Sequence, residues 1–145
     1  MDPEAVQAML REDRVEWQAL VALLEAHPHG PLHDPTVPTW AARDVYTHLA
    51  RLTETTTELI ELKLSGQPLP KFDDADEDTV NARIQQKYSH MSLDEARAWA
   101  QRSFDARIEA ISSIPPDRWD AAMEMLARAD GADHYRGHRS YISVL

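Results

Sequence analysis

Between residues 3 and 26 the apolar side chains fall at Val6, Leu10, Trp17, Leu20, Val21 and Leu24, a spacing that gathers them on one face of a helix. Asp13 occupies the same stripe where a leucine is expected, which places it either in a polar cavity or at the edge of the stripe. The period then breaks. Residues 26–38 hold four prolines and one glycine, which fix φ and remove backbone donors, so a loop is predicted there. A second helical run shows Val45, Leu49, Leu52, Leu59 and Ile60 on one face, with Thr39 as its expected N-cap and Ser65-Gly66-Gln67-Pro68 as its stop.

After a connection to about Asp76, the spacing of Val80, Ile84 and Tyr88 predicts a helix over 78–90. Ser92-Leu93-Asp94-Glu95 is a capping box, and the helix it opens presents Leu93, Ala96, Trp99, Ala100, Phe104, Ile108 and Ile111 before Pro115-Pro116 ends it. Residues 117–126 fit a short helix or an ordered loop, and a last helix is predicted from about Asp130 to Leu145. No alternating strand pattern and no internal repeat occurs. The pattern therefore predicts an all-α protein, a four-helix bundle with long crossover loops forming one domain over residues 1–145. Trp17, Trp40, Trp99 and Trp119 are expected in its core or at an interface.

Composition narrows the chemistry. A net charge of −10 opposes binding to duplex DNA or anionic lipid, both of which repel an acidic surface. The N-terminal segment lacks the basic start and apolar run of a signal peptide, and no stretch approaches the roughly 20 apolar residues of a membrane span, so a cytoplasmic protein is expected. With no cysteine, the chain has neither disulfide nor thiolate, and any thiol chemistry requires an external molecule.

The histidines carry the candidate chemistry. His134, His138, Tyr141 or Ile142, and Leu145 follow the progression of a single helix face, so both imidazoles point where the apolar residues point. His48 lies three residues after Val45 and four before Leu52, beside the stripe of its own helix. Three inward imidazoles are either separately hydrogen-bonded core groups or the ligands of one divalent ion. A pair one turn apart can hold an ion from one helix, and a third nitrogen from another leaves coordination positions open. Asp44, four residues before His48, can accept the ring N–H that the ion does not use, or can simply favour the first turn of its helix. The loop histidines His27, His29 and His33 sit among prolines that hinder a defined ligand geometry. The acidic run 73–78 lacks the glycine and the final glutamate of a calcium loop, and reads instead as a helix N-terminus dressed with carboxylates.

The segments from Trp40 to Leu49, Val80-Asn81-Ala82-Arg83 and His134-Tyr135-Arg136-Gly137-His138 resemble the DinB-like superfamily of four-helix bundles over nearly the whole chain. The nearest branches are the ClbS/DfsB-type proteins and the N-terminal domain of mycothiol-dependent maleylpyruvate isomerases. This resemblance implies a divalent ion, zinc or nickel, on His48, His134 and His138, with a homodimer as the expected assembly. Some isomerase-like relatives are expected to carry glutamate where this chain has His134. Asn81, at a family-like place, and Tyr135 and Tyr141 are candidate donors to a small-molecule substrate.

Two classes of function follow. In one, the ion activates water or an external low-molecular-weight thiol against a small electrophile, giving a hydrolase or a thiol-dependent transferase or isomerase. In the other, a non-enzymatic bundle binds metal or ligand in a stress or resistance role. No residue outside the histidines stands out in the sequence as a general base.

Overall fold

Asp2 opens the first helix: its carboxylate accepts the Ala5 N–H at 2.8 Å, and Pro3 at the first helical position needs no donor of its own. The computed structural model describes residues 1–71 and 75–142. Its helices are α1 (Pro3–Ala26), α2 (Ala42–Leu64), α3 (Glu77–Lys87), α4 (Leu93–Ser112), α5 (Ala121–Arg128) and α6 (Ala132–Tyr141), with a 3-10 turn at Pro116–Arg118. The described residues contain no strand.

The bundle is built from two parallel associations, α2 on α4 and α1 on α6, with α3 and α5 packed against α2. The α1 stripe is buried as its period predicts, from Val6 through Leu24, with Asp13 inside it. Helix α2 is central and buries several faces, including a run of threonines at Thr47, Thr53, Thr56 and Thr57. One core cluster gathers Trp17, Leu20, Leu24, Trp40, Tyr46, Leu49, Trp99, Phe104 and Tyr135, and the indole of Trp17 stacks on Phe104 at 4.9 Å. A second, at the other end, joins Val6, Leu10, Ile60, Ile111, Ile114 and Met123. Trp119 packs against it while partly exposed. Each fully buried leucine or isoleucine in these clusters contributes about 1.5–3 kcal/mol of transfer free energy.

Several boundaries differ from the sequence expectation for identifiable reasons. Thr39 does not cap α2. Trp40 is still held in the loop, its N–H bonded to Val37 O and its carbonyl accepting from Leu32 N, so the cap moves to Ala41. Asp44 then reaches back to the Ala41 N–H at 3.0 Å. Asp76 caps α3 through the Thr79 N–H, which starts the helix at Glu77, and α3 ends at Lys87 rather than at residue 90. Residues 117–126 split between the 3-10 turn and α5, whose cap is Asp120. The last helix starts at Ala132 and ends at Tyr141. Leu145 and the acidic residues Asp73 and Asp74 lie outside the described residues.

Candidate metal centre

Two helices supply the site. His48 sits in the second turn of α2, 3 % exposed, with the Trp40 ring 5.1 Å away. His134 and His138 project from successive turns of α6, whose position is fixed from several sides. At its N-terminus the Ala132 N–H donates to Asp13 Oδ1 at 2.8 Å, and Asp13 is in turn paired with the fully buried Arg107. Arg107 also donates to the Ala127 carbonyl, so this one guanidinium ties α4 to α1 and to the end of α5. Gly131 fits the corner because a Cβ there would stand 2.6 Å from Arg107 Nη2 and 2.8 Å from Asp13 Oδ1. On the outer face of α6, Arg136 and Arg139 pair with Glu12 and Glu16 of α1.

The three rings converge through one atom type. Nε2 of His134 lies 3.2 Å from Nε2 of His48 and 2.9 Å from Nε2 of His138. All three ligand atoms fall within 4.8 Å of one another, and this is the one such cluster of three potential ligands among the described residues. The loop histidines His27, His29 and His33 take no part in it. Two nitrogens each about 2.0–2.1 Å from one ion stand about 2.8–3.0 Å apart at a right angle and about 3.3–3.4 Å apart at the tetrahedral angle. Both close pairs match that range, so the donor set fits a divalent ion bound from one side.

Burial sets the protonation needed for binding. Desolvation, then repulsion from the imidazoles of His138 and His134, pushes the pKa of His48 down to about 2 against the pull of Asp130. Desolvation and then His134 push that of His138 down to about 4, opposed by Asp34 and Asp130. Both rings are therefore neutral at physiological pH and offer a lone pair.

Asp130 is a residue that the sequence reading passed over. Its Oδ1 stands 3.2 Å from Nδ1 of His134, and its Oδ2 accepts from the Thr56 hydroxyl at 2.5 Å. Burial alone raises the pKa of this carboxyl, but His134 and Thr56 outweigh that and hold it below the usual range. Asp130 precedes His134 by four residues, the same offset that singles out Asp44 before His48, so the signal was present in the sequence.

Asp44 itself does not serve His48. Its oxygens are taken by the Ala41 N–H and by Arg43 at 2.6 Å, and Nδ1 of His48 has no partner. The backbone cap and the neighbouring guanidinium outcompete an imidazole one turn further on. Tyr135 also departs from expectation: it is fully buried in the core, its ring edge-on to Trp17 at 5.3 Å, and it is not part of the cavity wall. Asn81 and Tyr141 do line the cavity beside the histidines, a space of about 290 Å³. Thr36 and Val37 of the α1–α2 loop and the carboxylates Glu77, Asp78 and Asp133 complete much of its wall.

No described helix is long and apolar enough to cross a membrane. Neither a curated protein nor a solved structure matches the chain. The family model for the mycothiol maleylpyruvate isomerase N-terminal domain matches residues 14–138, a span that starts inside α1 and takes in all three converging histidines. An all-helical bundle with this match belongs to the mycothiol maleylpyruvate isomerase N-terminal domain family, within the DinB-like superfamily.

Proposed function

We propose that this chain holds a divalent cation, zinc or nickel, on His48, His134 and His138, and joins an external low-molecular-weight thiol to a small electrophile in the adjoining cavity. The observation that carries this reading is the convergence of three Nε2 atoms at the wall of a cavity large enough for a small ligand. Such an ion, when bound, supplies Lewis acidity that lowers the pKa of a thiol or water at its open positions.

The chain's own residues do the rest. His48 anchors the site from the interior, and the α6 pair closes it from the opposite helix. Asn81 can donate and accept hydrogen bonds to orient a carbonyl, and Tyr141 offers a hydroxyl from the end of α6. Because the chain has no cysteine, the thiol must come from solution, in keeping with the thiol in the family's name.

The acidic wall bears on the electrophile. Glu77, Asp78 and Asp133 line the cavity, and no lysine or arginine is among its lining residues. Asp133 is turned to solvent and paired with Arg136, so a substrate with two carboxylates, as maleylpyruvate has, meets its repulsion from Glu77 and Asp78, offset in part by the bound ion, whereas a neutral or cationic electrophile meets none from them. The isomerase activity in the family's name is therefore a poorer fit to this cavity than thiol transfer to a neutral or cationic molecule.

The test has two stages. Elemental analysis of protein purified without an affinity tag should find about one divalent ion per chain. Mass spectrometry of adducts should then show thiol conjugation across a panel of neutral, cationic and dicarboxylate electrophiles, fastest with the first two and lost in His138→Ala. Turnover that survives loss of this imidazole would end the catalytic reading, and a stoichiometric ion with no turnover would leave a metal-binding bundle without enzymatic function.

A further inference from the structure

The three histidines are not equivalent. His134 is the middle member, since both short Nε2 separations run to it. It is also the one whose second nitrogen faces an anion. Nδ1 of each of the three rings is buried without a hydrogen bond, but that of His134 stands 3.2 Å from a carboxylate oxygen, Oδ1 of Asp130.

We infer that Asp130 is a positioning residue for the metal centre, holding the proton of His134 on Nδ1 and so presenting Nε2 of that ring, as a lone pair, to the point where His48 and His138 meet it.

The inference rests on the site being a metal centre, but its geometry is independent of the ion. A neutral imidazole carries one proton, and whichever nitrogen holds it cannot act as a ligand. An anion beside Nδ1 favours the proton there, which leaves Nε2 free. The 3.2 Å separation is off the line of a strong hydrogen bond, so the carboxylate acts mainly through its charge and its fixed place.

That place is set by three features. The Thr56 hydroxyl, from the buried face of α2, holds the second oxygen. The backbone of Asp130 is in the left-handed region at φ 57°, which aspartate tolerates better than most side chains and which turns the chain sharply from α5 into α6. The next residue, Gly131, lets that corner press against Arg107 and Asp13. A carboxylate held by a threonine of one ligand helix, four residues ahead of a histidine on the other, joins the two halves of the site.

The experiment compares wild type with Asp130→Asn and Thr56→Val. Asparagine keeps an acceptor for Thr56 and accommodates the left-handed backbone, while removing the charge. Zinc affinity is measured by chelator competition, imidazole tautomers by long-range ¹H–¹⁵N spectra of the metal-free proteins, and folding by thermal unfolding without metal. We expect wild-type His134 to carry its proton on Nδ1. In Asp130→Asn that preference should weaken and zinc affinity should fall about 10–100-fold at an unchanged metal-free melting temperature. Thr56→Val should lose less, in the same direction.

Zinc affinity within twofold of wild type in Asp130→Asn overturns the assignment. So does a loss of affinity with an unaltered tautomer, which would mean the residue acts on structure alone. If wild type takes up no zinc, the metal reading fails on its own, and the tautomer spectra of the metal-free proteins still decide what Asp130 does to His134.

Discussion

Nη1 of Arg107 lies 2.6 Å from Oδ2 of Asp13, and neither side chain is more than 2 % exposed. A charge pair removed from water this completely is costly to break, because the survivor is left buried and uncompensated. Asp13→Ala strands the Arg107 guanidinium and also removes the acceptor for the Ala132 N–H at the start of α6. The expected loss is about 3–5 kcal/mol in denaturant unfolding. Replacing both partners by apolar residues, Asp13→Leu with Arg107→Met, should recover much of it. If the double variant is as unstable as the single one, the damage comes from the uncapped α6 rather than from the stranded charge.

Gly131 is held by the same pair. In Gly131→Ala the new methyl meets two side-chain ends that cannot swing away, since Arg107 and Asp13 are locked to each other and to backbone groups. Overpacking at such a point costs about 1–3 kcal/mol. Because the displaced corner carries Asp130 and leads directly into His134, zinc affinity should fall together with stability. Unfolding midpoints and chelator competition on the same preparation measure both. A stability loss with full zinc affinity would show that α6 holds its place without this corner.

Much of this architecture was legible in the chain. The stripes of α1 and α4 were readable because each buries one regular face, that of α2 because its apolar period survives although the helix buries other faces as well, and the histidine pair because a four-residue offset on a helix has one geometric meaning. What was not legible depended on partners far apart in sequence. Arg107 reads as a surface arginine until Asp13, 94 residues earlier, is placed against it. Asp44 looked free for His48 because the competing claims of the Ala41 N–H and Arg43 depend on where α2 starts. Tyr135 neighbours a candidate ligand in sequence, yet one helical step turns it into the core against Trp17.

His134→Glu separates orientation from ligation. A carboxylate is also a ligand for divalent ions, so this variant should keep measurable zinc binding. Asp130 would then face a like charge instead of an imidazole N–H, and two such charges about 4 Å apart cost up to about 4 kcal/mol at an effective dielectric of 20. Both carboxylates also face the ion, whose double charge outweighs their mutual repulsion, so Asp130→Asn should still weaken zinc binding when residue 134 is glutamate, but by less than when it is histidine, because no tautomer is then at stake. A double-mutant cycle on the dissociation constants reads this directly. An equal loss in both backgrounds would remove the tautomer from the account of the Asp130–His134 contact.

The acid sensitivity of the metal-free protein has a defined window. His48 and His138 have folded-state pKa values pushed down from 6.5 to about 2 and about 4, so below pH 6.5 the unfolded chain binds protons at these two positions that the folded chain refuses. Stability therefore falls as pH drops from about 6.5 toward 4, at up to about 1.4 kcal/mol per pH unit for each group. The carboxylates whose pKa is lowered, Glu16, Glu25 and Asp130 among them, also lose stability on acidification. Their loss begins only near and below their ordinary values of 4.5 and 3.8, under the histidine window. Urea unfolding at pH 7, 6 and 5 should thus show a steep decline that carboxylates do not explain, and His138→Asn should flatten it by about one group's share. A flat profile between pH 7 and 5 would mean that the imidazoles of the folded protein already accept protons there, and that the cluster is more open to water than its burial implies.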